Sequence, residues 1–367
     1  MQDVEMSKLR GATLLRRLGI DHPIIQAPMA GGGSTIELVA AVSRAGGLGF
    51  LGCAYSSPDA IRETAAAVRA RTDRPFGLNL FAPPGAPETP GDPSRMAEVL
   101  KGIHLELGIA PPSAPAATGL AFADQLDAVL ETEATVFSFT FGLLPPGAVE
   151  ALKGRGIFVS GTATTVDEAV SLEAAGVDAV VAQGSEAGAH RATFGGTFEA
   201  AMVGTMALVP QVVDAIGLPV IASGGIMDGR GIAAALALGA EAAQLGTAFL
   251  TCDESGIPAA HKQAIIDGHE DQTRITRAFS GRPARGIVNR LMDDIDDKAA
   301  AILPFPLQNA MTRPARTAAA EQQRSEFLSL WAGQGVRLSR RLPAEELVRR
   351  LAEETAVAIG DAGGAAG

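Results

Sequence analysis

Short apolar runs alternate along the chain with longer, Ala-rich stretches of helical period. Eight runs read as strands, at 23–29, 47–52, 75–81, 136–142, 156–162, 177–184, 219–225 and 242–250. Most are continuously apolar instead of alternating, the pattern of parallel strands buried on both faces. Between them lie helix start and stop signals. Ser34-Thr-Ile-Glu37 reads as a capping box whose helix stops near Gly46. Thr165-Val-Asp-Glu168 opens a helix ending near Gly176, and Asp228-Gly-Arg-Gly231 precedes one ending near Gly239. Eight strand–helix units in one run predict a (β/α)8 TIM barrel over residues 1–252, ahead of the other option, a doubly wound open sheet. A Gly-x-Gly near 229–231 starts several residues past its strand, too late for a dinucleotide turn.

Two stretches break the repeat. Residues 82–120, rich in Pro, Gly and Ala, form an insertion after strand three, read as a lid or an excursion toward a substrate. Residues 253–356 form a mostly helical C-terminal addition on the substrate side, whose last helix starts at Pro343, and 357–367 read as a flexible small-residue tail.

Ligands of a barrel bind at the C-terminal ends of its strands. There the sequence places Gln26 and Met29, Asn79, Gln183 and His190, Ser223-Gly224-Gly225, and Gly246-Thr247 late in strand eight. Amides match donors and acceptors on a ring edge, and the last two loops are the usual phosphate position of such barrels. Flavin mononucleotide (FMN) fits that description. Ser223-Gly-Gly also reads as a plain strand-to-helix turn. Gly31-Gly32-Gly33, after Pro28-Met29, reads both as a tight turn and as a backbone surface for a ring. Of five histidines only His190 falls in a Gly-rich strand-end loop, which makes it the candidate base. His22 reads as structural, His104 as a position at a substrate entrance, and His261 and His269 as solvated. Glu186 either orients His190 or accepts backbone bonds. Arg191 answers an anion or pairs with Glu186.

The 367 residues carry a net charge of −11 and no long basic run, which argues against nucleic acid as a partner. Although 47% of the residues are apolar, much of that is Ala and no run reaches membrane-spanning length, so no membrane partner is expected. No secretory signal is legible, and Cys53 and Cys252 read as reduced core thiols, so the expected compartment is the cytoplasm. No metal-ligand pattern occurs, so no bound metal is expected. A homo-oligomer is compatible with the C-terminal helices and nothing demands one.

Gln26-Ala-Pro-Met-Ala-Gly-Gly, Ala45-Gly-Gly-Leu-Gly49, Gly77-Leu-Asn79-Leu-Phe81, the Gln183–Arg191 loop, Ala222-Ser-Gly-Gly-Ile226, Gln244-Leu-Gly-Thr247 and Trp331-Ala-Gly-Gln-Gly335 follow in the order of motifs in the nitronate monooxygenase family, formerly 2-nitropropane dioxygenases. The chain resembles that family, class I, over nearly its whole length. The resemblance implies FMN-dependent oxidation of alkyl nitronates, and of neutral nitroalkanes, with O2 to a carbonyl compound and nitrite. It puts flavin-binding positions at Asn79, Gln183, Gly188, Gly225 and Gln244-Leu245-Gly246-Thr247, and the catalytic base at His190. Two departures stand out. The usual Gly-Gly-His-Arg-Gly reads Gly188-Ala189-His190-Arg191-Ala192, which predicts a less tightly folded loop. With Tyr55 the single tyrosine, pocket aromatics of relatives are expected to be replaced by Phe139, Phe141 or Phe305. The alternatives are an NAD(P)H-dependent FMN reductase of the enoyl-acyl-carrier-protein reductase type, and a non-catalytic flavin or small-molecule binding barrel.

Overall fold

In a computed structural model, residues 12–83, 91–114 and 120–364 are described. Eight parallel strands form one sheet: β1 (Ile24–Gln26), β2 (Gly49–Gly52), β3 (Phe76–Phe81), β4 (Val136–Thr140), β5 (Phe158–Ala163), β6 (Ala179–Gln183), β8 (Val220–Ser223) and β9 (Ala242–Leu245). β7 (Ala189–His190) lies outside this sheet, between β6 and β8 in the chain. The strand order is β1-β9-β8-β6-β5-β4-β3-β2. A parallel bridge from Ile25 to Leu48 joins β1 to the start of β2 and closes the ring. All eight predicted strands are present. The eighth is shorter than its apolar run implied: it ends at Leu245, and Thr247–Leu250 is a one-turn helix.

The barrel is plugged at one end. The first residues of β4, β5, β6 and β9 (Val136, Phe158, Ala179, Ala242) pack with Ile25, Phe50, Val181 and Ile221, and helix α1 (Ala12–Leu18) closes that end with Leu14, Leu15 and Leu18. The opposite end, where the strands terminate, is left to the cavity described below.

Helix starts are set by side-chain caps. At α2 (Ile36–Arg44) the cap is Thr35, which accepts from Leu38 N, one residue later than the capping-box reading. Ser34 is taken up elsewhere, accepting from Met29 N at 2.9 Å. At α7 (Val166–Ala174) Thr165 caps as read, but the Glu168 carboxylate does not reach back to it. It is fully buried and accepts from Thr164 N, Phe194 N and Gly195 N, pinning the chain beyond β7.

Part of the insertion after β3 is helix α4 (Pro93–Glu106). Its Met96, Leu100 and Ile103 join a second apolar core with Phe279, Leu291, Met292, Met311 and Phe327. Residues 84–90 and 115–119 lie outside the described part. The addition carries α11 (Ala259–Ile266), α12 (Arg290–Asp296), α13 (Leu307–Glu321) and α14 (Ala344–Gly364), the last reaching into the segment read as a tail. It also carries two strands that periodicity missed, β10 (Thr273–Thr276) and β11 (Ala284–Ile287). These form an antiparallel sheet with β7, pairing Ala284 with His190 and Arg285 with Ala189.

Both thiols are buried, and burial pushes each up to about 12. Among the described residues no helix is long and apolar enough to cross a membrane.

Candidate active site

The strand ends and the addition enclose a cavity of about 590 Å³. Of the sequence-chosen residues, Pro28, Met29, Asn79, Gln183, Gly188, His190, Ser223, Gly224, Gly225, Gln244, Gly246 and Thr247 line it. Gln26 and Leu245 do not. Gln26 is fully buried; its Oε1 accepts from Phe50 N at 2.9 Å and its Nε2 donates to Ser34 Oγ at 3.1 Å, so its amide braces the β1–β2 closure. The Leu245 side chain sits in the main core.

The glycines after β8 and β9 expose backbone. Gly224 and Gly225 have φ of +117° and +72°, a region costly for any residue with a Cβ. A Cβ on Gly224 would stand 2.9 Å from Thr205 Oγ1. The N–H groups of Gly224, Gly225 and Gly246 donate no hydrogen bond among the described residues. Gly224 and Gly246 are half-buried and Gly225 is exposed, all three on the cavity wall, so these donors are open to an acceptor from outside the chain. Gly188 is glycine for a different reason. A Cβ there would come 2.6 Å from the backbone of Ala332 and Gly333, where the addition lies across the loop. Gly333 N donates to Thr247 Oγ1 at 2.9 Å, tying the two together.

The amides divide in two. Gln183 spends both ends on its own loop, Nε2 to the His190 carbonyl (3.1 Å) and Oε1 from Ala192 N (2.9 Å). Asn79 donates to Ser138 Oγ at 2.8 Å, which leaves its Oδ1 open, and the Gln244 side chain makes no hydrogen bond among the described residues. These two remain able to meet a ring edge.

His190 is held by the β7–β11 pairing and by Ser280, whose Oγ lies 2.8 Å from Nε2. Ser280 O–H donates to the Arg282 carbonyl (3.1 Å), so its oxygen accepts from Nε2–H and the imidazole lone pair falls on Nδ1. Rings of Phe81, Phe141, Phe305 and Trp331 surround the imidazole at 5.6–6.3 Å. Desolvation, then the charges of Arg282 and Arg316, push His190 down to about 3, so it is neutral at ordinary pH. Arg282 stacks its guanidinium 3.9 Å from the centre of the Phe141 ring.

The loop is not loosened by its Gly-to-Ala departure. Ala189 adopts φ +59°, the left-handed turn that glycine favours, imposed by pairing with Arg285. Phe141, against His190, also has positive φ (+80°). Such backbone strain gathers at sites where the surrounding structure over-determines it.

The other readings divide into those borne out and those corrected. Glu186 serves the backbone: it accepts from Thr205 N and Oγ1 at 2.9 Å. Arg191 is buried and donates to the carbonyls of Gln183 and Ala201, so it neither pairs with Glu186 directly nor faces the cavity; burial lowers it to about 10. His104 is buried against Ala110 O and lines no entrance. His261 is not solvated but buried on the cavity wall; its Nε2 donates to Trp331 O at 3.1 Å, and burial takes it down to about 4. His269 is exposed as read. Among the proposed aromatics, Phe141 lines the cavity, Phe305 touches the His190 ring, and Phe139 is locked in the main core.

Ser280, His261, Tyr55, Arg313 and Arg316 were missed. For the arginines a signal existed: Asn309, Arg313, Arg316 and Thr317 recur at three- and four-residue spacing on α13 and all line the cavity. Ser280 carries no local pattern.

The nitronate monooxygenase family model matches residues 13–354. A probable nitronate monooxygenase of Staphylococcus saprophyticus is 42% identical over 92% of this chain and 95% of its own length. One of Bacillus subtilis is 40% identical over 93% of this chain and 98% of its own. The solved nitroalkane oxidase of Streptomyces ansochromogenes superposes with a TM-score of 0.88, at 42% identity, over 96% of this chain and 99% of that one. FabK of Thermotoga maritima follows at 0.76 and 29% identity, covering 96% and 98%. The chain thus belongs to the nitronate monooxygenase family and is an oxidoreductase.

Proposed function

We propose that the protein oxidises alkyl nitronates with O2 to carbonyl compounds and nitrite, using FMN held on the barrel rim. The observation that carries this reading is a neutral imidazole, His190, in an aromatic cage on the same cavity as three unpaired backbone donors. The N–H groups of Gly224, Gly225 and Gly246 would hold the phosphate. Asn79 Oδ1 and the Gln244 amide would meet the polar ring edge, Pro28, Met29, Gly188 and Ser223 would wall the cofactor, and Gln183 and Thr247 would support it from the strand ends. When bound, FMN supplies the redox chemistry linking nitronate to O2.

His190 serves the neutral nitroalkane. Its Nδ1 lone pair would accept the α-proton while Ser280 holds the ring. Its low basicity makes this the harder substrate, since two arginine charges and desolvation oppose the imidazolium. An anion forming beside it offsets both effects as the proton moves. A nitronate has already lost that proton and needs no base. The four rings around His190 exclude water from that step.

The test is oxygen uptake in air with propane 2-nitronate and no nicotinamide. Rapid uptake with nitrite release is expected. A flavin reduced only after NAD(P)H is added would replace this reading with the reductase one, and a protein without flavin, or with flavin inert to both, would leave a binding barrel.

A further inference from the structure

The charge of the cavity is opposite to that of the protein. The chain carries −11, yet among the described residues no Asp or Glu lines the cavity, while Arg313 and Arg316 both do. Many surface arginines are matched by carboxylates, as in Arg44 with Glu345, Arg62 with Glu131, and Arg337 with Glu270. Among the described residues neither Arg313 nor Arg316 has such a partner.

The two differ in what they are free to do. The Arg316 donors are committed: to the Asn309 carbonyl (2.9 Å) and Oδ1 (2.7 Å), to Thr312 Oγ1 (3.2 Å) and, at 3.4 Å, to Ser329 Oγ. It is a fixed charge that braces α13. Arg313, one turn earlier, is exposed, and its side chain makes no hydrogen bond among the described residues. Its guanidinium lies over the Tyr55 ring, 5.6 Å from the centroid, on the facing wall after β2. A guanidinium on an aromatic face keeps its charge and all its donors while its position is restrained.

We propose that Arg313 is a specificity-determining residue: stacked on Tyr55 at the cavity wall, it draws in anionic substrate and favours the nitronate over its neutral nitroalkane. This rests on the proposed function and deepens it. The other charges facing this part of the cavity point the same way. Arg316 adds to the field, and His190 and His261, neutral, do not oppose it. A focused cationic patch raises the local concentration of an anion and leaves a neutral molecule unaffected, and salt screens the effect.

The test compares Arg313→Gln and Arg313→Lys holoenzymes with the parent. At low ionic strength Arg313→Gln is expected to lower kcat/KM for propane 2-nitronate about 5–10-fold, to flatten its decline with added salt, and to leave kcat/KM for 2-nitropropane unchanged. Arg313→Lys keeps the charge and restores the value to within about 2-fold. Equal losses on both substrates, or an unaltered salt dependence in Arg313→Gln, overturn the proposal. Calorimetric binding of nitrate, a planar unreactive anion, reads the same residue without turnover. A dissociation constant weakened about 5-fold in Arg313→Gln supports the assignment and an unchanged one refutes it. If no substrate is turned over, the proposed function fails while the nitrate measurement still decides the role of Arg313.

Discussion

The cavity has two walls of different make. The barrel wall is glycine and short polar side chains: Gly224, Gly225 and Gly246 offer bare backbone, and Asn79 and Gln244 offer amides. The wall supplied after residue 253 is rings and charge: His261, Arg313, Arg316 and Trp331. Backbone donors suit a fixed anion and a ring that never leaves. Arginines and aromatic rings select among small molecules that come and go. The two walls meet at His190, which belongs to the barrel chain yet is oriented by β11 and Ser280 from the addition. On the proposed function, the barrel wall would hold the cofactor and the addition would decide which substrate the site favours.

Breaking the barrel wall gives the largest effect. Gly224→Val forces a β-branched residue to φ +117° and into Thr205 Oγ1. It is expected to abolish flavin retention on gel filtration, and with it all turnover, while costing about 1–3 kcal/mol in urea unfolding. Retained flavin would detach the β8 turn from cofactor binding. Breaking the other wall is selective. Ser280→Ala removes the partner of His190 Nε2, so kcat/KM for 2-nitropropane is expected to fall about 10-fold with the nitronate nearly unaffected. Parallel losses on both substrates would make Ser280 merely structural.

A pH experiment sharpens the contrast further. His261 is held well below its unfolded value near 6.5, so between about 4 and 6.5 the unfolded chain binds the extra proton. The stability contribution is whole above pH 6.5 and is lost as pH falls toward 4. His261→Leu is expected to reduce the stability lost between pH 7 and 5 by about 1–2 kcal/mol, read from urea midpoints. An identical pH dependence in both proteins would mean that the imidazole is not kept neutral. The smallest effect is at Ala189, whose left-handed turn costs about 1 kcal/mol. Ala189→Gly is expected to raise stability by at most about 0.5 kcal/mol, after the unfolded-state entropy of glycine is subtracted, with kcat unchanged.

The barrel wall was legible because its determinants are local. Strand ends follow from apolar runs, and a Gly-rich turn past such an end shows itself in a few residues. The limits were local too. The apolar run 242–250 did not reveal that Gly246 breaks it into strand and helix turn. Gln26 resembled a ligand residue because the spacing cannot show that its amide is consumed by Phe50 N and Ser34. The second wall was mostly illegible because its parts converge from 70 to 90 residues away. Ser280 reaches His190 across a separation of 90, and the strand that aligns them, β11, is four residues long. His261 looked solvated because its helix has charged neighbours, while its burial is decided by Trp331, 70 residues further on. Ala189 shows the same override: tertiary pairing with Arg285 holds a backbone angle that the residue type disfavours.

The most direct test of the whole account is the substrate split of His190→Ala, measured as kcat/KM on 2-nitropropane and on its nitronate in the same flavin-loaded preparation. Turnover of the neutral compound is expected to fall about 100-fold or more, with the nitronate kept within about 10-fold. Equal loss on both, with flavin still bound, would contradict His190 as the group that accepts the α-proton.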